Sequence, residues 1–159
     1  MEFFTIGVYN TTENEFFDKL LKNKIDIFCD IRQRRGVRGS KYAFVNSNRL
    51  QEKLQALNIN YSYVQNLAPT TEIRETQNEI DLEKKELKRE RLRLGNTFIL
   101  EYENRILNHF DFNLFFENLE RNNAKKIVLF CVEEHPEACH RSLVSDKLKN
   151  DYKLNIIHL

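Results

Sequence analysis

The chain has 159 residues and a mass of 19.1 kDa, a size that suits one domain able to bury a core without disulfides or metals. Hydrophobic residues make up 41% of it and charged residues 31%, and 4 Gly with 2 Pro argue against a disordered or collagen-like chain. The formal net charge of +1 would exclude a strongly basic nucleic-acid-binding surface if that charge were spread evenly.

Three features predict the compartment. No stretch approaches the roughly 20 consecutive apolar residues of a membrane span, and an acid, Glu2, stands where a signal peptide carries basic residues. The three cysteines (Cys29, Cys131 and Cys139) are odd in number and lack the spacing of a disulfide framework. We therefore expect a cytoplasmic protein without a membrane partner, either a monomer or a homodimer.

In the first half of the chain, apolar runs typical of strands alternate with apolar residues at helical spacing. The predicted elements are a strand at 3–9, a helix capped by Thr12, a strand at 25–31, a helix from Ser47 and a strand at 61–64. Strands that alternate with helices are typical of βαβ units and a parallel sheet.

The segment from Thr71 to Leu94 interrupts this alternation with seven acids and seven bases. Ile73, Ile80, Leu87 and Leu94 recur in it at intervals of seven, and this thin apolar stripe predicts a charged, solvated helix lying over the domain. A dimer-forming arm is the alternative, although a coiled coil needs a second apolar position in each heptad. Those positions hold Gln77, Lys84 and Arg91.

After Gly95 the pattern predicts two helices, the second capped by Asp111, then a strand at 127–132, a further helix and a short strand at 154–159. The predicted fold class is α/β. We expect a single Rossmann-like domain over residues 1–159, with a mostly parallel sheet of about five strands flanked by helices. Residues 71–95 would form a charged helical insertion or arm.

Positive charge is concentrated in one loop. Between Arg32 and Arg49 there are six basic residues and no acid, which leaves 19 basic against 24 acidic groups elsewhere, a net of −5. Arginine forks suit phosphate, and Gly36 with Gly39 would let backbone amides turn toward an anion. This pattern predicts either an anion-binding site, in which Arg32, Arg35 and Arg38 contact the anion, or a surface that pairs with acids of the same chain.

A second candidate site follows the strand at 127–132. Ligands of parallel sheets bind beyond the carboxyl ends of the strands, so residues from several loops should meet there. Cys139 would be a nucleophile at a helix N-terminus, or a packed residue in a turn braced by its neighbours. The residues expected at this rim are Tyr9, Asn10, Asp30, Arg32, Glu133, Cys139, His140 and Arg141.

Several sharper motifs are absent. No cysteine is followed by an arginine at the spacing of a phosphatase or rhodanese loop, and neither a dinucleotide fingerprint nor a P-loop occurs. Cys131, His135, Cys139 and His140 offer zinc ligands but lack paired C-x2-C spacing, so a metal-dependent site that uses Cys131, His135 or Cys139 is only a third alternative. The sequence therefore predicts neither a metal nor a cofactor.

The same residues carry a family resemblance. The strand ending Asp30-Ile31-Arg32, the basic loop from Arg34 to Phe44, and Cys131-Val132-Glu133 followed by Cys139-His140-Arg141 resemble the domain-of-unknown-function 488 family. Residues 5–10 and 61–69 resemble two further blocks, although Ala68-Pro69 and Asn10 depart from the commoner pattern. The resemblance implies a cytosolic, Rossmann-like α/β domain and leaves the reaction open.

The leading functional hypothesis is a small hydrolase or lyase acting on a phosphate-bearing substrate, a nucleotide or a nucleic acid. Arg32, Arg35 and Arg38 would bind the anion, and Glu133 would act as the acid-base group. Cys139 and His140 would react directly or shape the rim, and Asp30 would orient Arg32. The alternative is a non-catalytic module that binds nucleic acid or another anion.

Overall fold

The computed structural model describes residues 1–159 and has a five-stranded sheet at its centre. The strands run in the order β3-β2-β4-β1-β5, and every neighbouring pair is parallel. This sheet confirms the predicted α/β fold class. The strands are β1 (Glu2–Ile6), β2 (Ile27–Asp30), β3 (Asn60–Tyr63), β4 (Lys126–Phe130) and β5 (Ile156–His158).

Six helices flank the sheet, and two of the predicted caps are present. Thr12 and Glu15 form a capping box at the start of the first helix, and the Asp111 side chain accepts from the Leu114 amide. None of the helices has both the length and the apolar character that crossing a membrane requires. They are α1 (Glu13–Lys22), α2 (Ser47–Ala56), α3 (Thr71–Glu83), α4 (Asn96–Tyr102), α5 (Phe112–Arg121) and α6 (His140–Tyr152).

The core lies on both faces of the sheet, which explains why the strands read as unbroken apolar runs. Phe16 of α1 is fully buried, with its ring centroid 6.2 Å from that of Phe28 on β2 and 5.5 Å from that of Phe130 on β4. These contacts fix the ends of β2 and β4, the two strands that carry the site.

The charged segment is helical only in its first half. Helix α3 ends at Glu83, and Lys85 adopts a left-handed conformation that a continuing helix cannot accommodate. Residues 84–95 form turns and return to the domain, where the Leu94 amide donates to the Glu137 carbonyl at 3.0 Å. The expectation of one long solvated helix is therefore wrong for residues 84–94.

The strand order creates a crevice between β2 and β4. The chain leaves β2 toward β3 at one edge of the sheet, whereas it leaves β4 toward β5 at the other edge. Two adjacent parallel strands whose connections diverge in this way leave a gap outside their carboxyl ends, the usual ligand position in open α/β sheets.

Candidate active site

A cavity of about 400 Å³ lies at the crevice between β2 and β4. Tyr9 from the turn after β1, the basic loop that follows β2, and the connection from β4 to α6 contribute to its wall. Pro69, Phe98 and the charged segment complete the wall. The contribution of the charged segment consists of Arg74, Gln77, Asn78, Lys88, Arg91 and Leu94.

Arg32 is held at the cavity by Asp30. The two side chains form a paired contact, with Nε at 2.9 Å from Oδ1 and Nη2 at 2.7 Å from Oδ2, and both are almost fully buried. The guanidinium also lies over the Phe130 ring at 4.5 Å. Its Nη1 is buried without a hydrogen-bond partner, so a cavity-lining arginine retains an unused donor.

The Tyr61 hydroxyl also donates to Asp30 Oδ2, at 2.9 Å. Tyr61→Phe should lower the free energy of unfolding by about 1.5 kcal/mol, since a hydrogen bond to a buried charge is lost. Urea denaturation measures the change. Tyr63→Phe is the matched control because the Tyr63 hydroxyl bonds no protein group while its ring stacks beneath Arg35, so equal losses would contradict this role for Tyr61.

Three further arginines line the cavity without a carboxylate partner: Arg34, Arg38 and Arg74. Arg74 Nη1 donates to the Gln33 side chain at 2.6 Å. Burial lowers the pKa of Arg74, and the neighbouring positive charge of Arg34 lowers it further. Two guanidinium groups are thus held close enough to repel each other.

Glu133 is the only carboxylate that lines the cavity, and it is ion-paired twice. Its Oε1 lies 3.2 Å from Nη2 of Arg91 and 3.1 Å from Nζ of Lys88. Arg91 also binds Asp81 at 2.8 Å and donates to the Ala138 carbonyl. A buried network therefore joins α3, the charged segment and the loop after β4.

The charges of this network determine the protonation states of Glu133 and Lys88. Burial would raise the pKa of Glu133, but Lys88, Arg91 and the Cys131 thiol outweigh it and hold that pKa well below its usual range. Burial likewise opposes the charge of Lys88, whose pKa is nevertheless raised because of the Glu133 carboxylate. Glu133 is an anion and Lys88 a cation at neutral pH.

Two thiols and an imidazole form the floor of the cavity. Nδ1 of His140 lies 3.7 Å from Sγ of Cys139 and 4.0 Å from Sγ of Cys131. Nε2 lies 2.9 Å from the Ile31 carbonyl, which can only accept, so Nε2 carries the hydrogen. The lone pair of a neutral His140 therefore faces the thiols.

The floor groups also perturb one another. The hydrogen bond with Cys139 and then burial raise the pKa of Cys131 well above its usual value. Cys131 donates to Glu133 Oε2 at 3.1 Å. Burial lowers the pKa of His140, but the Cys131 sulfur outweighs burial and leaves that pKa raised.

Six of the residues expected at this site line the cavity together. They come from the turn after β1, the basic loop and the β4–α6 connection, as the rule for parallel strands requires. They are Tyr9, Arg32, Arg38, Glu133, Cys139 and His140.

The other four expected residues lie outside the cavity wall. Asp30 lies behind Arg32 and positions it. The Arg35 guanidinium stacks on Tyr63 and faces a separate shallow depression. Arg141 is buried, and its guanidinium donates to the Glu133 and Glu134 carbonyls, which braces the loop. Asn10 bonds the Glu134 side chain and the Tyr42 hydroxyl.

Sequence reasoning missed the cations of the charged segment: Arg74, Lys88 and Arg91. One signal for them exists in the pattern of α3. Ile73, Gln77 and Asp81 follow one face at intervals of four, and all three are buried. Polar residues on an inward face indicate a buried polar network instead of a solvated helix.

The fold and the site define a parallel α/β domain with a cation-lined cavity at its strand switch point. A family model described as "Domain of unknown function DUF488" matches residues 12–148. The chain therefore belongs to the DUF488 family, as the Asp-x-Arg strand and the C-x-E…C-H-R residues indicate. No curated protein and no solved structure matches the chain.

Proposed function

We propose that the protein is a small enzyme that acts on a phosphate-bearing substrate, a nucleotide or the end of a nucleic acid, by hydrolysis or lyase chemistry. One observation carries the proposal. Arginines without carboxylate partners line the same cavity whose floor holds two thiols and an imidazole. The cations provide anion binding, and the floor provides groups that can react.

The arginine cluster supports a dianionic group as ligand. Burial and the positive charge of Arg34 lower the pKa of Arg74, and a phosphate bound beside the two arginines would offset their repulsion with charge-assisted hydrogen bonds. Arg38 lines the same cavity, and Arg32 has a spare buried donor. These cations together favour the binding of an anion.

The size and walls of the cavity support a nucleotide. About 400 Å³ lies within the usual range of small-molecule sites, about 300–1,000 Å³, and is too small for duplex nucleic acid. Tyr9 and Tyr42 stand in the wall with ring centroids 5.3 Å apart. Aromatic rings of this kind stack on a nucleobase.

Glu133, Cys139 and His140 are placed to meet the reacting end of the substrate. All three line the cavity, and His140 is oriented by the Ile31 carbonyl. Glu133 is held by Arg91 and Lys88, so its position is fixed before substrate arrives. A side chain held in this way needs no rearrangement when the substrate binds.

Arg74→Gln should weaken the binding of adenosine monophosphate about tenfold, because one charge-assisted phosphate contact is worth about 1.5–3 kcal/mol. Isothermal titration calorimetry at low salt measures the affinity. Arg35→Gln is the matched control, since Arg35 belongs to the same basic region but stacks on Tyr63 outside the cavity. Equal weakening by the two variants would place the anion elsewhere.

Turnover separates an enzyme from a binding module. Nucleotides and short oligonucleotides incubated with the wild-type protein should yield products by mass spectrometry, and Cys139→Ser should lose turnover while retaining binding. Salt-sensitive binding without any turnover would favour the non-catalytic module instead. The basic loop supports both functions, whereas the two thiols and the imidazole of the floor favour the enzyme.

A further inference from the structure

We propose that Cys131, Cys139 and His140 bind a thiophilic metal ion, Zn²⁺, at the floor of the cavity. Sγ of Cys131, Sγ of Cys139 and a ring nitrogen of His140 all lie within 4.8 Å of one another, and all three residues are buried. They form the chain's cluster of metal-ligating side chains, and Cys29, the remaining cysteine, is not part of it.

The spacing of the three atoms suits a tetrahedral ion. Zn–S bonds of about 2.3 Å and a Zn–N bond of about 2.0 Å imply an S···N separation of about 3.6 Å at a tetrahedral angle. The observed separations from His140 Nδ1 are 3.7 Å to Cys139 and 4.0 Å to Cys131. Both S···N separations thus lie within about 0.5 Å of the value for a bound ion, and the two sulfurs lie no more than 4.8 Å apart.

His140 already has the orientation of a metal ligand. Its Nε2 hydrogen is given to the Ile31 carbonyl at 2.9 Å, which leaves the Nδ1 lone pair facing the sulfurs. Metal-bound histidines almost always donate their second ring nitrogen to a carbonyl or carboxylate in this way. The Tyr102 ring, 5.4 Å from the imidazole, supports it from the side.

All three ligands stand on fixed parts of the fold. Cys131 directly follows β4, Cys139 caps α6 and His140 is the first residue of that helix. The sequence prediction of no metal depended on the absence of C-x2-C spacing. The fold replaces that spacing, because it brings a strand end and a helix start together across seven intervening residues.

The charge of the site accommodates the ion. Each thiol that binds releases its proton to solvent, so Zn²⁺ and two thiolates add no net charge among Arg91, Lys88 and Arg32. Three protein ligands leave a fourth position, and the cluster lines the cavity. Three ligands and one open position are the pattern of catalytic zinc. Only this catalytic role depends on the proposed function; the binding itself does not.

The test is metal content and affinity without any substrate. Protein purified under reducing conditions without chelator should contain about one equivalent of zinc by mass spectrometry. Cys139→Ser should weaken Zn²⁺ binding, measured against a competing chelator, by more than about 100-fold, since loss of an outer-sphere partner alone costs about 10- to 100-fold. Cys29→Ser is the control and should bind like the wild type.

Co²⁺ titration of the wild-type apoprotein gives a second readout that needs no variant. We expect a sulfur-to-cobalt charge-transfer band and intense tetrahedral d–d bands at one equivalent. Absence of these bands, or equal Zn²⁺ affinities for folded wild type and Cys139→Ser, would overturn the metal site. Phosphate binding by the arginines would survive that result, so failure of this inference and failure of the proposed function are distinguishable.

Discussion

Replacing Arg91 by methionine is expected to lower the free energy of unfolding by about 3–5 kcal/mol, because the buried carboxylates of Asp81 and Glu133 lose the guanidinium that they share. The Ala138 carbonyl loses two hydrogen bonds as well. Methionine keeps much of the side-chain volume, so the loss reports charge instead of a cavity. Thermal and urea denaturation of purified protein measure the change.

Arg89→Met is the matched control in the same segment. Arg89 is 69% exposed and lies 4.0 Å from an equally solvated Glu90, so its removal should change stability by less than about 0.5 kcal/mol. A similar loss from both variants would mean that residues 84–95 are held by general charge attraction. A loss confined to Arg91→Met would show that the buried ion pairs of Arg91 hold this segment on the domain.

Gly7→Ala is the second change with a large expected effect. A methyl group at Gly7 would stand 2.0 Å from the Glu133 carbonyl oxygen and 2.9 Å from its carbon. Both are backbone atoms. The Arg141 guanidinium and neighbouring backbone hydrogen bonds hold this loop in place. We expect a loss of about 3 kcal/mol and a fall in Tm of about 6–12 °C, together with displacement of Glu133.

Gly36→Ala tests whether this loss is specific to Gly7. The nearest atom to a methyl group at Gly36 is Asn46 Oδ1 at 3.8 Å, an ordinary contact, so the stability should stay within about 0.5 kcal/mol of wild type. Differential scanning calorimetry compares the two variants directly. If Gly7→Ala were as stable as Gly36→Ala, the close approach of β1 and the loop after β4 would be wrong.

The sheet could be predicted from sequence because both of its faces are covered. Strands such as 127–132 read as continuous apolar runs, and helices such as the one capped by Thr12 carry a clear apolar spacing. The site followed from the same rule, since strand ends converge at one edge. Arg32, Glu133 and His140, which the sequence analysis expected at this edge, line the cavity there for this reason.

The sequence could not show which arginines of the basic loop line the cavity and which point away from it. Arg34 and Arg38 line the cavity, whereas Arg35 turns away and stacks on Tyr63. An irregular loop has no period from which the direction of a side chain can be read. Which arginines of such a loop face a cavity depends on contacts distant in the chain.

The structure of the charged segment was not predicted correctly, for a different reason. A buried ion pair and two solvated charges look alike in a sequence, because the partner that makes burial of a charge possible lies far away in the chain. Arg91 is 6% exposed although its surroundings in sequence are almost all charged and exposed. Its partner Glu133 lies 42 residues away and becomes a neighbour only in the fold.

Anomalous scattering from tungstate, a phosphate analogue, shows directly whether the cation-lined cavity binds a phosphate group. Crystals soaked in tungstate should show the strongest peak within hydrogen-bond distance of the Arg34 and Arg74 guanidinium groups. A competing basic depression lies beside Arg35 and Arg49 at the start of α2. The strongest peak at that depression, with none in the cavity, would contradict phosphate binding in the cavity.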